Sequence, residues 1–281
     1  MKIAAMQPYF FPYIGYFQLI RAAGKFILYD NVGYIRHGWV NRNRLVERHR
    51  GVRYIGIPLR KHAPGTPIRE IRIDNTQPWQ AALLNFLWHN YRPCAAFEEI
   101  YSLAEPLLSV PYATLSEVNF ETIRAVCRWL SIQTPIVYGS EKYDSLEAAL
   151  PADDTLLPDR KTRRVLALCR AEKADGYLNA PGGESLYRAA DFLSAGLTLQ
   201  FIHPGDTPYP QAPAGREGKH PLPFFPHLSI LDVLMNGGLP LARRLLDDYT
   251  LSDAVLASPF AAGSGQNSRE PILSLADYPV K

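Results

Sequence analysis

The sequence predicts an α/β fold: a mostly parallel, Rossmann-like sheet flanked by helices, with a β-hairpin and a helical insertion at about 79–130. Three observations predict it. Residues 2–30 read strand, tight loop, amphipathic helix, strand; residues 159–193 read helix, strand, loop, helix; and Asn41 to Leu59 alternates around a turn as a hairpin does. Parallel strands joined through helices put their C-terminal ends on one edge, where such sheets bind ligands.

Ile3 to Met6 is a short apolar run suited to a buried strand, and Pro8 and Pro12 bracket a loop that holds no charged residue. Pro12 fits the first turn of a helix and Gly24 its stop, with Tyr13, Phe17, Leu19 and Ile20 as the apolar stripe. Lys25 to Asp30 is the second strand. Gln7 and Asp30 should therefore share the C-terminal edge, beside a helix start that favours negative charge. Gln7, Tyr9 and Tyr13 are the polar groups of the loop, and packing tyrosines are the plainer reading of the last two.

Charge is unevenly placed. Residues 1–74 hold 13 Lys/Arg against 4 Asp/Glu, or +9, while the remaining 207 residues carry −6. The first part thus predicts an anionic partner. Six arginines and one acid, Glu47, lie between Arg36 and Arg53. For Arg48, Arg50 and Arg53 a solvated face suffices. Arg42 and Arg44 stand among Asn41 and Asn43 near Trp39, and planar guanidiniums there suit capture of phosphate or carboxylate.

Further along, Pro67 to Asp74 alternates as an edge strand, and Trp79–Tyr91, Phe97–Leu108 and Leu115–Leu130 read as helices without chemistry of their own. Tyr91 and Asn119 are their notable polar residues. Thr134 to Gly139 is a strand and Leu146 to Pro158 a linker. Asp159 to Ala174 is a helix with Lys161 in its first turn, where a cation is either solvated or paired with a bound anion. Gly176 to Asn179 and Thr198 to His203 are strands, the second being the last. Residues 204–226 form a Pro/Gly-rich loop containing Tyr209-Pro-Gln211. In the following helix Ser229 and Asp232 fit a capping pair and Gly237 a stop, which explains Ser229 better than a nucleophile partnered with His227. One domain over 1–250 and a poorly ordered tail over 251–281 are expected.

Hydrophobic residues make up 47% and charged residues 20% of the 281, ordinary for a globular chain, and no apolar run approaches the roughly 20 residues of a membrane span. The start has no leader-like apolar stretch, so a cytoplasmic protein is expected. Cys94, Cys127 and Cys169 read as reduced core thiols. Neither metal-ligand spacings nor a glycine-rich phosphate loop appears, so no metal and no cofactor are expected.

Several blocks taken together resemble one family. Gln7 to Phe17, Tyr29-Asp-Asn-Val-Gly-Tyr34 with Trp39-Val-Asn-Arg-Asn-Arg44, Lys161-Thr-Arg-Arg-Val-Leu166, Tyr177 to Gly183 with Tyr187, Tyr209-Pro-Gln211 and Leu228 to Gly237 resemble the WbqC-like proteins of bacterial surface-polysaccharide clusters. The first unit also resembles nucleotidyl transferases in fold. Their His-x-Gly-His is Tyr13-Ile-Gly-Tyr16 here, which removes the imidazole donors for nucleotidyl transfer. The family resemblance implies a role in O-antigen or lipopolysaccharide synthesis, with aminoacyl (glycyl-type) transfer to a nucleotide-linked amino sugar. On that reading Asp30, Asn41 and Gln7 are the catalytic candidates. Tyr9, Tyr13, Tyr34, Trp39, Arg42, Arg44, Lys161, Gln211, Ser229, Asp232 and Asn236 are the ligand-binding ones. A non-catalytic sugar-nucleotide or pathway-partner binding protein stays open beside the transferase. So does an RNA binder that stacks bases on Trp39 and Tyr34, a nucleic-acid reading ranked last.

Overall fold

Short apolar runs flanked by turn residues build a sheet that, in the computed structural model, has the order β5-β2-β1-β6-β7-β8 among the described residues, 1–48, 50–151, 157–211 and 223–255. β1 (Lys2–Met6), β2 (Lys25–Leu28), β5 (Ile136–Val137), β6 (Gly176–Asn179) and β7 (Thr198–Pro204) are parallel, and β8 (Tyr249–Asp253) closes the edge antiparallel to β7. Ile3 is in register with Lys25 on one side and Tyr177 on the other. The chain winds outward from β1 in one direction and later from β6 in the other. The topological switch therefore lies at the C-terminal ends of these two strands, where crevices form.

Alternation along the strands makes two buried faces. Ala4, Phe26, Leu28 and Ile202 join one core with α1 (Ile14–Ala22), α2 (Trp79–Tyr91), α3 (Phe97–Ala104), α4 (Leu115–Trp129) and α8 (Ile230–Leu245). Ile3, Ile27, Tyr177 and Phe201 join the other, beneath α6 (Arg160–Ala171) and α7 (Ala189–Ser194). The helices at 79–130 are thus a covering layer of the first core. Phe10 and Phe11, both 0% exposed, are pinned in that core. Burying each contributes about 2 kcal/mol, so the loop after β1 is held by its own side chains.

The hairpin is β3 (Arg42–Glu47) and β4 (Gly51–Gly56), paired Arg42↔Gly56 to Glu47↔Gly51. β4 stops short of the expected Leu59, because Pro58 has no N–H to continue the ladder. Four other expectations are corrected. Residues 67–74 are not an edge strand: Ile68–Glu70 is one 3-10 turn, with single bridges at Pro67, Arg72 and Ile73, so both Ile68 and Ile71 point into the core. The stretch read as a linker begins within α5 (Asp144–Ala148), while residues 152–156 lie outside the described residues. α8 does not stop at Gly237; it breaks at Gly238 (φ 65°) and resumes through Pro240 to Leu245. The sheet also gains β8 beyond the expected last strand, taking in positions assigned to the tail, whose residues 256–281 lie outside the described ones.

Candidate functional site

The loop from Gln7 to Tyr13 lies between β1 and α1, outside ladder and helix, so its carbonyls need donors from elsewhere. Asn119 Nδ2 of α4 donates to Pro8 O (2.9 Å) and Val40 O (2.7 Å). Asn43 Nδ2 of β3 donates to Phe10 O (3.0 Å) and Phe11 O (2.7 Å). Ser229 Oγ donates to Phe11 O (2.8 Å), while the Ile230 and Ser229 amides donate to Pro12 O and Arg44 O, both at 3.0 Å. Four distant parts of the chain are thereby locked at one joint: the opening loop, the hairpin, α4 and the start of α8.

Two recesses open at this joint. The first is lined by Tyr9, Pro12, Tyr13, Trp39, Asn43, Arg44 and His227. The second, beyond the end of β7, includes Gln18, Asp206, Tyr209 and Asp248, and shares Tyr13 and His227 with the first. The Tyr13 ring meets His227 edge-on at 5.4 Å. Gly15 makes room for that ring, since a Cβ there would sit 2.5 Å from it.

His227 has φ 56°, a left-handed conformation uncommon outside glycine and frequent at functional sites. Burial is the main cause that pushes its imidazole pKa down; Arg44 acts the same way and Asp206, at 3.7 Å, opposes them. The ring is therefore a neutral base at pH 7. Arg44 lies 5.4 Å over the Trp39 ring and donates from Nη2 to Pro226 O and His227 O, both at 3.3 Å. It fixes the backbone that carries the imidazole. Burial raises the Tyr9 hydroxyl to about 12, so it remains a proton donor at neutral pH.

Behind the recesses stands a buried network. Asp232, 0% exposed, accepts from Tyr91 (2.6 Å), Tyr209 (2.7 Å) and Asn236 (3.3 Å). Tyr91 Oη accepts in turn from the Val46 amide of β3 at 2.9 Å. Gln211 donates to Tyr209 Oη and Phe225 O and accepts from the Phe225 amide, closing the loop around the network. Burial, the largest influence, lifts Asp232 to about 6 against the pull of these donors.

The structure brings together Tyr9, Tyr13, Trp39 and Arg44 at the first recess, and places Gln211, Ser229, Asp232 and Asn236 in the support behind it. Ser229 caps α8 through the Leu231 amide (3.3 Å), but Asp232 turns away from capping toward the tyrosines. The other expected site residues line neither recess. Gln7 offers its carbonyl to Tyr16 Oη at 2.8 Å. Asp30 is buried and accepts from Ser116 of α4. Asn41 accepts from Tyr34 (2.7 Å) and donates to Ile57 O (3.1 Å), so that pair holds the hairpin base. Arg42 spends its guanidinium on the His37 and Gly38 carbonyls and on the Tyr54 ring at 4.6 Å. Lys161 is exposed on the first turn of α6. The paired grip of Arg42 and Arg44 on one anion is thus replaced by Arg44 alone at the recess.

Sequence alone gives His227 no site role and does not single out Gln18, Asp206 or Asp248. His227's place beside Ser229 was a signal; its backbone conformation was not legible. No group of three His, Cys, Asp or Glu side chains able to hold a metal occurs among the described residues. Cys94, Cys127 and Cys169 form no disulfide and are buried, and burial raises each thiol to about 12, which leaves them poor nucleophiles. No helix among the described residues is long and apolar enough to cross a membrane.

Fold and site together define a three-layer α/β protein whose recesses sit on the C-terminal edge of a parallel sheet, between the first loop, an arginine-bearing hairpin and a late helix. The chain belongs to the WbqC-like protein family, whose model matches residues 7–243. It is 33% identical over 241 residues to "Uncharacterized protein Rv1507c" of Mycobacterium tuberculosis (strain ATCC 25618 / H37Rv), an alignment covering 84% of this chain and 94% of that protein. No solved structure matches the chain.

Proposed function

We propose that this chain is a transferase of surface-polysaccharide synthesis that joins an aminoacyl group to the amine of a nucleotide-linked amino sugar. The observation that carries the reading is His227, a neutral imidazole in a left-handed backbone, set between a cationic aromatic recess and an acceptor-lined one. Arg44 and Trp39 suit the anionic, planar part of a nucleotide, with Tyr9 as a hydrogen-bond donor. His227 takes a proton from the sugar's ammonium and frees the lone pair that attacks an activated acyl carbon; the new N–C bond forms, the bond to the donor's leaving group breaks, and that group departs with the second amine proton. Asp30 and Asn41, engaged by Ser116, Tyr34 and Ile57, take positioning roles in this scheme. Family membership supports the polysaccharide setting.

A non-catalytic binding protein would use the Arg44–Trp39 recess in the same way, and the stacking of these two side chains favours binding independently of chemistry. Mass spectrometry of the surface glycan separates the readings. A transferase predicts loss of an amide-linked aminoacyl group both on deletion and in His227→Ala. Glycan unchanged on deletion overturns both, and glycan lost on deletion but intact in His227→Ala favours the binding protein.

A further inference from the structure

Residues that line the second recess carry buried acceptors that lack donors. Gln18 is 0% exposed, and its Nε2 is spent on Leu245 O (2.7 Å) and Asp248 O (2.9 Å). This fixes the amide orientation and leaves Oε1 buried without a hydrogen-bond partner. Asp248 Oδ2 is likewise buried without a partner. Gly205 lies against that carboxylate so closely that a Cβ would come within 2.3 Å of Oδ1, so a side chain there would displace it. Asp206 adds a third acceptor, a solvent-facing carboxyl group at the rim, beside His227. All three residues line one recess, on three different elements, and Val233 and Leu245 give it apolar wall.

Orphaned buried acceptors are costly, and two in one recess define a place for a donor. An anion is repelled there. A group with three N–H bonds and a positive charge satisfies amide and carboxylates at once.

We propose that this recess is a subsite for a primary ammonium group, holding the substrate's amine through Gln18 Oε1, Asp248 and Asp206 next to His227. This rests on the transferase reading for the identity of the amine as the acceptor's, but the binding itself does not.

The test uses the full chain and follows the Gln18 side-chain amide by NMR while ethylammonium chloride is added, with tetramethylammonium and potassium chlorides as controls. Saturable movement with ethylammonium alone, weakened about 10-fold in Asp248→Asn by loss of one charge-assisted bond, supports the subsite. Equal movement with either control, no saturable movement, or an unchanged response in Asp248→Asn overturns it, the recess then holding ordinary water only. Calorimetry with UDP and UDP-glucosamine reads the neighbouring recess separately. Failure of both to bind removes the nucleotide-sugar reading, while the ethylammonium result still decides this one.

Discussion

The Tyr209 hydroxyl donates to Asp232 Oδ1 at 2.7 Å, and that contact ties the loop after β7 to the buried start of α8. Folding carries Asp232 from an ordinary 3.8 to about 6. A carboxyl whose pKa is raised on folding adds stability when protonated, and this is lost as pH climbs through the folded value. Between pH 4.5 and 7.5 the wild type should lose about 2 kcal/mol that Asp232→Asn does not lose. Urea unfolding of both proteins at the two pH values measures it, and parallel changes would refute the buried charge.

Gly15 predicts a separation of stability from binding. Alanine there favours helix α1 by about 0.5–1 kcal/mol, yet its Cβ displaces the Tyr13 ring that lies 2.5 Å away. Gly15→Ala should therefore keep or raise the melting temperature while weakening the proposed nucleotide binding, read with UDP, about 10-fold, as small misplacements at a site do. Unaltered affinity would show that Tyr13 does not shape the recess.

How far these residues were legible follows from the range of the forces that place them. The βαβ unit and the hairpin rest on local alternation and turn residues, so their positions emerged from the sequence. Asn119, set in a helix with no visible chemistry, could not be read as the clamp on Pro8 and Val40, because its partners lie 111 and 79 residues away. Arg42 and Arg44 share one strand face and looked equivalent. Which of them reaches the recess is decided by the distant carbonyls of Pro226 and His227, a tertiary fact. Strand alternation in residues 67–74 misled for the same reason: Ile68 and Ile71 are both buried, and a 3-10 turn achieves that spacing as alternation does not.

Arg44 also adds to the effect of burial, the main cause, on the charge state of its neighbour. It lowers the pKa of His227, so its removal makes the imidazolium easier to form. In Arg44→Met the His227 pKa should rise, and with it the pH below which the base is lost. Histidine NMR titration of wild type and variant reads this without an activity assay; an unmoved or lowered value would contradict the placement of Arg44.

His227 itself offers the sharpest contrast between fold and function. Its φ of 56° costs a β-carbon residue energy that glycine does not pay in conformation. Its ring contributes packing against Tyr13 but no inner core volume, being outside the buried set. Replacing it by glycine relieves the backbone, whereas alanine keeps the strain and loses the ring. His227→Gly should thus be at least as stable as His227→Ala, by about 0.5–1 kcal/mol, while the proposed aminoacyl transfer would be lost in both alike. Thermal unfolding ranks the pair. A glycine variant less stable than alanine would mean that the left-handed conformation is not a cost borne for the imidazole, and the case for His227 as a positioned base would lose its backbone support.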